Sequence, residues 1–418
     1  MSGSAGRSGG GARPAAGGRN GLRVGIVGGG PIGLAIAWRC AQRGLAVTVY
    51  DPAPGTGAGQ VAAGMLAPAT EAHFGEESLR ELLVESARRW PDFARELESA
   101  SGLEVGYRTE GTLLVALTDD DLRAVARLCD YYARAGLVVQ PLRPAQLRER
   151  EPLLAPRIRG GAFAPDDHQV DPRRVLAALL RAIERAGVQL RHEAVADLST
   201  VDADVVVLAA GWASAALAGT VSAALAGTVE ADAVGRPAGL PVRPVKGQIV
   251  RLRAAQPTLR HVLRGEASGR AVYLVPRADG ELVVGATTEE RGADTTVTAG
   301  AVLDLLRPAA ELVPEIAEYS LVEVSAGLRP GTPDNAPLLG MVCPGVVVAT
   351  GHYRHGILLT PVTADAIAEL VVTGSAPEVI AAFGPDRFAS PDRSGRPDGP
   401  GHPDLVASPD RSASEVRG

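Results

Sequence analysis

The segment V-G-I-V-G-G-G-P-I-G, which runs from Val24 to Gly33, constrains the fold more than any other part of the sequence. It places the spacing Gly-x-Gly-x-x-Gly directly after a short β-branched run and at the start of a helix-like stretch. Gly28 permits a tight turn, Gly30 lets the backbone approach a pyrophosphate, and Gly33 allows the helix to pack closely on the strand. The free N–H groups and the dipole of the helix start favour phosphate groups at this point. The segment therefore predicts a dinucleotide-binding βαβ unit.

The residues around these glycines support the prediction. Ala37 and Ala41 are small enough for a helix to lie against a sheet, Gly44 ends the helix, and Asp51 closes the second strand. An acidic residue at that place can accept a hydrogen bond from a ribose 2′-hydroxyl. A glycine-rich turn without a ligand is the alternative interpretation. The cofactor contacts predicted in this unit are Gly28, Gly30, Pro31, Ile32, Gly33 and Asp51.

The sequence after Asp51 distinguishes between NAD and FAD. An NAD-dependent dehydrogenase would continue with further parallel βαβ units, whereas this chain enters a loop over Gly55–Pro68 that contains A-A-G-M-L-A-P. Apolar strands of the nucleotide-binding type return near residue 205, as V-V-V-L-A-A-G, and near residue 346, as V-V-V-A-T-G-H. Each small-residue strand end, taken alone, is explained equally well by close packing. Three of them in this order favour FAD.

A chain of 418 residues with 46% hydrophobic and 22% charged residues is long enough for two domains. The first βαβ unit and the late strands are apolar enough to share a parallel sheet, whereas the middle segments alternate as in an antiparallel sheet that faces a ligand. We therefore expect a mixed α/β and α+β fold, in which a Rossmann-like FAD-binding domain is interleaved with an antiparallel-sheet substrate domain. The FAD-binding domain is expected over 22–75, 150–230 and 325–375, and the substrate domain over 76–149 and 231–324.

Both ends of the chain and one internal segment have an unusual composition. Residues 1–21 are rich in Gly, and residues 384–418 are rich in Pro, Gly, Asp, Arg and Ser without an apolar period. Such segments cannot bury a core, so both tails are expected to be disordered. The octapeptide S-A-A-L-A-G-T-V at Ser214–Val221 recurs at Ser222–Val229. We interpret it as a tandem duplication within a surface loop, with a functional loop as the alternative.

Charge and cysteine content exclude several classes of protein. A formal net charge of −6 argues against a general nucleic-acid binder. The three cysteines, Cys40, Cys129 and Cys343, are too far apart in the sequence for a disulfide framework or a cysteine-based zinc site. This cysteine content is typical of proteins in a reducing cytoplasm. No run approaches the about 18 to 20 apolar residues of a transmembrane helix, and the start lacks the apolar core of a signal peptide. We expect a cytoplasmic protein without a membrane or nucleic-acid partner.

Five further motifs follow in order along the chain: V-K-G-Q (Val245–Gln248), Y-L-V-P-R (Tyr273–Arg277), V-V-G-A-T (Val283–Thr287), A-G-L-R-P-G-T-P-D (Ala326–Asp334) and A-T-G-H-Y-R-H-G-I-L-L-T-P (Ala349–Pro361). With the motifs above, the chain resembles the D-amino-acid oxidase superfamily from about Arg23 to Gly374, and most closely the glycine oxidases of thiamine biosynthesis. The resemblance implies that FAD accepts electrons from glycine, or from another small amine or D-amino acid, and gives an imine. It also implies that O2 is reduced to H2O2 and that the imine feeds thiazole synthesis, with hand-off to a thiazole synthase.

The resemblance implies roles for individual residues. Arg329 matches the arginine that pairs with the substrate carboxylate, Arg354 matches a second substrate contact next to the flavin, and Tyr273 matches the tyrosine over the substrate. These three form the implied catalytic and substrate-binding set. The further flavin contacts implied are Ala63, Gly64, Met65, Val195, Ala210, Gly211, Gly351, His352, Tyr353, Arg354, His355, Gly356, Ile357 and Leu358.

The residues also allow plainer interpretations. Arg329 could form a surface ion pair of about 0–1 kcal/mol, Arg354 could be a solvated residue at a helix start, and Tyr273 could be a strand core residue. Arginine is nevertheless the residue best suited to bind a carboxylate in a pocket, because its planar guanidinium group can donate two parallel hydrogen bonds. The pair His352 and His355 has no evident third ligand nearby, so no metal site is expected.

Departures from the family pattern leave the substrate open. Ala271 and Thr288 occupy positions at which the family varies, and both are expected to line the pocket. No cysteine lies in the segment around Arg329, and Cys343 sits in a turn, so FAD is expected to be noncovalent. The alternatives are a D-amino-acid or sarcosine oxidase or dehydrogenase of the same fold, and a non-catalytic FAD-binding subunit. A homo-oligomer is left open.

Overall fold

The computed structural model describes residues 21–225, 239–257, 259–267 and 269–388. Most of both expected disordered tails, and part of the duplicated octapeptide, lie outside the described residues. The start of the second expected tail differs from the expectation, because residues 385–388 form a short 3-10 helix. Its Arg387 donates hydrogen bonds to both carboxylate oxygens of Asp334, at 2.8 and 3.0 Å, which ties this turn to the body of the protein.

The described residues form sixteen strands. They are β1 (Arg23–Val27), β2 (Ala46–Tyr50), β3 (Met65–Leu66), β4 (Thr112–Ala116), β5 (Gln140–Leu142), β6 (Gly160–Ala164), β7 (His168–Gln169), β8 (Gln189–Arg191), β9 (Val205–Leu208), β10 (Arg243–Arg253), β11 (Val262–Ala267), β12 (Arg270–Pro276), β13 (Glu281–Gly285), β14 (Ser320–Gly331), β15 (Leu338–Cys343) and β16 (Val346–Thr350).

The described helices cover the faces of the sheets and connect them. They are α1 (Pro31–Gln42), α2 (Ala58–Val61), α3 (Glu77–Ser101), α4 (Asp119–Arg134), α5 (Pro144–Arg150), α6 (Pro172–Arg185), α7 (Ser214–Leu225), α8 (Ala299–Leu312) and α9 (Thr360–Thr373). Short 3-10 helices span Leu198–Thr200, Gly211–Ala213, Pro314–Glu318, Tyr353–His355, Glu378–Phe383 and Pro385–Phe388.

The first sheet has the strand order β15-β16-β9-β1-β2-β8, and all its neighbours are parallel except the β15–β16 pair. Because side chains alternate along each strand, Val24 and Ile26 of β1 face a helical layer while Val27 faces the opposite side. The helical layer is formed by α1, α3, α6 and α9. The carboxyl ends of the parallel strands therefore meet at one edge, where an open α/β sheet binds its ligands.

The second sheet has eight strands in the order β14-β10-β13-β12-β11-β4-β6-β5. Its neighbours are antiparallel except β11 and β4, which run parallel. One face packs on α8 through residues such as Leu305 and Leu274. The opposite face carries Ile249, Val283 and Tyr273 and turns towards the edge of the first sheet. The expected mixed α/β architecture is confirmed.

The packing differs in two places from the domain boundaries expected from the sequence. Helix α3 was expected in the substrate domain, but Leu83, Trp90 and Leu97 are buried with α1 and α9 against the first sheet. The apolar stripe of this long helix is covered only there. Strand β6 was expected with the FAD-binding domain, but it pairs with β4 and β5 in the second sheet. The domain division itself remains a prediction.

The duplicated octapeptide was expected in a loop, whereas helix α7 begins at Ser214 and contains the whole first copy. Alanine and leucine, which dominate the repeat, have high helix propensity. Residues 226–229 of the second copy lie outside the described residues.

Within the described part of the chain, no single helix is long and apolar enough to cross a membrane. A bent pair, Thr360–Thr373 with Glu378–Phe388, passes that test by length and composition alone.

The helical layer on the first sheet predicts a large stability difference between two leucine truncations. Leu34 of α1 is fully buried, whereas Leu303 of α8 is 58% exposed. We expect Leu34→Ala to lower the free energy of unfolding by about 2–5 kcal/mol, because it leaves a cavity in a packed core. Leu303→Ala should change it by no more than about 0.5 kcal/mol. Urea denaturation of both variants measures the difference, and equal losses would contradict this packing.

Candidate active site

A cavity of about 820 Å³ lies where the carboxyl ends of the first sheet's strands meet the inner face of the second sheet. Its walls come from the loops after β1, β2, β9 and β16 and from strands β10, β12 and β14. This is a volume typical of pockets that enclose small ligands or cofactors. The cavity therefore joins the nucleotide-binding loop and the candidate substrate residues in one space.

The glycine loop forms one end of the cavity. Gly28 has a φ of +118°, and a Cβ atom there would meet the carbonyl oxygen of Ala209 at 2.4 Å. A Cβ atom on Gly33 would meet the carbonyl oxygen of Gly28 at 1.9 Å, so α1 can approach β1 only with glycine at this position. Gly30 differs, because a Cβ atom there would meet no atom of the described residues within 4 Å. It lines the cavity and leaves room against the backbone.

The start of α1 is available to an anion. Gly30 is the N-cap residue and provides no side chain to satisfy the first N–H groups, and no acidic residue occupies the first turn. Unsatisfied N–H groups and the helix dipole favour phosphate oxygens. The Asp51 carboxylate supports the loop from the side by accepting hydrogen bonds from the N–H groups of Gly29 at 2.6 Å and Ala53 at 2.8 Å. Asp51 also lines the cavity.

A second backbone turn lines the cavity at Ala63 and Gly64. Gly64 has a φ of +82°, and a Cβ atom there would meet the Val170 carbonyl oxygen at 2.0 Å. The buried guanidinium of Arg277 donates hydrogen bonds to the carbonyl oxygens of Ala63 at 2.5 Å and Val170 at 3.0 Å. Burial lowers the pKa of Arg277 to about 10, so it stays charged at neutral pH. Arg277 thus ties the turn to the second sheet, a role that the sequence motif did not indicate.

Tyr273 and Arg329 lie side by side on the inner face of the second sheet and both line the cavity. Arg329 donates a hydrogen bond through Nη1 to the carbonyl oxygen of Thr287 at 3.1 Å. Two strand glycines make room for these side chains. A Cβ atom on Gly285 would collide with the Tyr273 hydroxyl, and one on Gly247 would collide with the Arg329 guanidinium. Burial raises the pKa of Tyr273, and Arg329 offsets only part of that rise, so the phenol stays protonated at neutral pH.

Arg354 reaches the cavity from the turn after β16. The preceding residue, Tyr353, has a φ of 45°, a conformation that non-glycine residues adopt at some cost. The guanidinium of Arg354 lies 5.3 Å from the Tyr353 ring centroid, and it forms no ion pair with any described residue. A charged group is therefore presented at the cavity wall without an ion-pair partner among the described residues.

The structure brings most of the predicted site residues to this cavity. Those that line it are Gly28, Gly30, Pro31, Ile32, Asp51, Ala63, Gly64, Met65, Val195, Ala210, Gly211, Tyr273, Arg329, His352, Tyr353, Arg354, Gly356 and Ile357. Gly33, Gly351, His355 and Leu358 do not line it; they lie buried behind its wall. His352 is buried, and burial lowers its pKa to about 3, so it is neutral at ordinary pH.

Two expected pocket residues do not line the cavity. Ala271 and Thr288 are exposed and absent from its walls. Ala271 lies on the same strand face as Tyr273 but is exposed. Thr288 follows the end of β13, between Thr287 and Glu289, whose backbones hydrogen-bond to β10. The pocket size therefore does not depend on these two positions.

Charged groups that the motifs did not indicate also lie at the cavity. Glu71 lines it and pairs with Arg264, with Oε1 at 2.6 Å from Nη1. On another wall, Arg173 binds both carboxylate oxygens of Glu323, at 2.7 and 2.9 Å. Among the described residues, no three His, Cys, Asp or Glu side chains form a cluster that could hold a metal ion.

The family model that describes DAO, FAD dependent oxidoreductase, matches residues 23–370. The chain belongs to this family of FAD-dependent oxidoreductases. The match runs from the first strand through α9, so it includes every wall of the cavity described above. The residues present fit FAD, because the uncapped helix start, the open space at Gly30 and the backbone turn at Gly64 offer contacts for a pyrophosphate and a planar ring system.

Curated relatives cover most of this chain. A bifunctional protein ThiO/ThiG from Synechocystis sp. is 34% identical over 87% of this chain, which spans 53% of that relative. This chain thus spans about half the length of the bifunctional relatives that it matches. A glycine oxidase from Geobacillus kaustophilus is 35% identical, over 83% of this chain and 92% of its own length.

Solved structures of the same family have the same architecture. A glycine oxidase from Geobacillus kaustophilus superposes with a TM-score of 0.77 at 33% identity, over 88% of this chain and 99% of its own. An iminodiacetate oxidase from Chelativorans sp. superposes with a TM-score of 0.73 at 26% identity, over 87% and 99% of the two chains. The expected fold and its family are confirmed.

The glycine loop predicts opposite effects for two alanine substitutions. Gly30→Ala adds a methyl group to open cavity space, so it should weaken FAD binding at least about 10-fold while leaving the stability of the cofactor-free protein almost unchanged. Gly33→Ala forces a methyl group onto the Gly28 carbonyl, and overpacking of this kind costs about 1–3 kcal/mol. Fluorescence titration with FAD and urea denaturation separate the two effects. Equal stability losses would contradict the geometry of this loop.

Proposed function

We propose that this protein is an FAD-dependent oxidase that converts glycine, and other small amines or D-amino acids, to the imine. The observation that carries the proposal is that Tyr273, Arg329 and Arg354 line the same cavity as the nucleotide-binding loop. The glycine oxidase names of relatives that match nearly their full length support the substrate class. A small carboxylated amine suits a cavity that is lined by two arginines and a phenol.

The roles of the side chains follow from their chemistry. When bound, FAD supplies the two-electron acceptor that the amino acids themselves lack. Arg329 binds the substrate carboxylate, since a guanidinium offers a planar fork of donors. Tyr273 stays protonated at neutral pH and can donate a further hydrogen bond to the carboxylate. Arg354 adds positive charge to the same cavity. The fixed position of the substrate, rather than a side-chain base, accounts for most of the rate.

The fate of the products completes the proposal. The imine hydrolyses to glyoxylate and ammonia, or is passed to a thiazole synthase for thiamine biosynthesis. Relatives named as bifunctional ThiO/ThiG proteins support the second route. The electrons pass to O2 and give H2O2, and FAD is held noncovalently, since none of the free cysteines at positions 40, 129 and 343 lines the cavity. A cytoplasmic location and a homo-oligomer remain predictions.

The experiment that tests the function measures oxygen consumption by the FAD-loaded protein with glycine, sarcosine and D-alanine, together with peroxide and ammonia formation. Oxidation of glycine with stoichiometric peroxide supports the proposal. Turnover only with larger amines would reassign the protein to a D-amino-acid or sarcosine oxidase. Reduction by an amine with a quinone but not O2 as acceptor would indicate a dehydrogenase. An FAD-loaded protein that oxidises none of them would be a non-catalytic subunit.

The assignment of Arg329 predicts a specific defect. In Arg329→Lys the charge remains but the planar fork is lost, so KM for glycine should rise about 10- to 100-fold, because hydrogen bonds to a charged group contribute roughly 1.5–3 kcal/mol. Steady-state kinetics measure the change. Arg253→Lys is the matched control, because Arg253 is 43% exposed, pairs with Asp279 and lies outside the cavity. A similar KM for both variants and the unaltered protein would refute the role of Arg329.

A further inference from the structure

Glu71 is the carboxylate of the cavity wall that lies near the candidate substrate residues. Its negative charge acts on Tyr273, and the positive charge of Arg354 acts on Glu71. Among the described residues, the two other carboxylates that line the cavity have different partners. Asp51 supports the glycine loop. The two carboxylate oxygens of Glu323 accept hydrogen bonds from Nη1 and Nη2 of Arg173.

Arg264 fixes the orientation of Glu71. Arg264 lies on β11 directly opposite Tyr273 of β12, and its Nη1 donates to Glu71 Oε1 at 2.6 Å and contacts the Met65 sulfur at 3.8 Å. The Glu71 carboxylate is therefore joined to β11, the strand next to that of Tyr273. Glu71 and Arg264 are 193 positions apart in the sequence. Arg264 itself is absent from the cavity walls. Its role is to position Glu71, which does reach the cavity.

The second carboxylate oxygen of Glu71 has spare capacity to accept hydrogen bonds. Oε2 lies 3.5 Å from Nδ1 of His355, beyond a good hydrogen bond, and neither ring nitrogen of His355 has a hydrogen-bond partner within the described part of the chain. An ionised carboxylate offers about four acceptor sites. One of them is used by Arg264, and Glu71 is among the residues that line the cavity.

The charged groups that face Glu71 keep it ionised. Burial alone would raise its pKa, but Arg264, His355 and Arg354 outweigh burial and bring the pKa of Glu71 to about 2. Burial lowers the pKa of His355 itself to about 4, so this ring is neutral at pH 7, where Arg264 and Arg354 are the positive charges that act on Glu71. Glu71 is therefore a fixed negative charge on the same cavity as the positive Arg329 and Arg354. An amino acid carries the complementary pair of a carboxylate and an amino group.

We propose that Glu71 accepts a hydrogen bond from the amino group of the substrate, and that Arg264 is the positioning residue that holds Glu71 for this contact. The inference rests on the proposed function and adds the group that recognises the amine. The site then selects its substrate at both ends, with Arg329 and Tyr273 on the carboxylate and Glu71 on the nitrogen. A ligand with a carboxylate but no amine makes only the first set of contacts.

The test compares glycine with acetate, which lacks the amine, in the FAD-loaded protein. The glycine dissociation constant is taken from the concentration dependence of anaerobic flavin reduction, and the acetate constant from its competition with glycine. In Glu71→Gln, glycine binding should weaken about 10-fold or more, the loss expected for a charge-assisted hydrogen bond, whereas acetate binding should change less than about 2-fold. Equal weakening of both ligands, or no change in either, would overturn the proposal.

Glu110→Gln is the matched control. Glu110 is also partly buried and paired with an arginine, Arg108, at 2.9 Å, but it lies outside the cavity. Both constants should be unchanged in this variant. If no amine reduces the unaltered protein, the proposed function fails and this assignment with it. If glycine reduces it and Glu71→Gln binds glycine normally, the assignment alone fails.

The role of Arg264 has a pH signature that a purely structural role would not give. Arg264→Met removes the main positive partner of Glu71, so the pKa of the buried carboxyl rises, although His355 and Arg354 remain. Glycine binding should then weaken progressively as pH falls through the raised pKa, while acetate binding shows no matching loss. The double variant Glu71→Gln/Arg264→Met should lack this acid-side loss. Its persistence in the double variant would overturn the positioning role.

Discussion

The close approach of helix α1 to strand β1 is the contact on which the rest of the structure depends. The Gly28 carbonyl oxygen occupies space that any Cβ atom on residue 33 would need. Because α1 can descend this far, its N-terminus reaches the edge of the first sheet at the point where the neighbouring strands end. The first N–H groups, the Asp51 carboxylate and the turn after β9 then surround one end of a shared cavity.

In the second sheet, glycines make room for the side chains of the candidate substrate residues. Gly247 of β10 and Gly285 of β13 lie on the two strands between those of Arg329 and Tyr273, and side chains there would occupy the positions of Arg329 and Tyr273. Absent side chains on β10 and β13 thus allow a guanidinium and a phenol to lie flat on the sheet. Arg277 then connects this sheet to the turn at Ala63, so the cofactor side and the substrate side of the cavity are held in register.

The local parts of this architecture could be predicted from the sequence. The Gly28–Gly33 loop, the returning strands near residues 205 and 346, and the motifs around Tyr273 and Arg329 each carry a pattern within a few residues, and all of them reach the cavity. The contact between Glu71 and Arg264 could not be predicted from the sequence. Neither residue lies in a motif that indicates a special role, and only the tertiary fold brings the two side chains together. The packing of α3 was missed for the same reason, since amphipathic spacing identifies a buried face but not the surface that buries it.

We propose that one cavity holds FAD and presents a small amino acid to it. The most direct measurement is the visible absorption spectrum of the FAD-loaded protein, recorded without oxygen before and after addition of glycine and again after air is readmitted. We expect the yellow flavin absorption to be lost with glycine and to return with air as peroxide appears. Bound flavin whose spectrum is unchanged by glycine and by other small amines would contradict it.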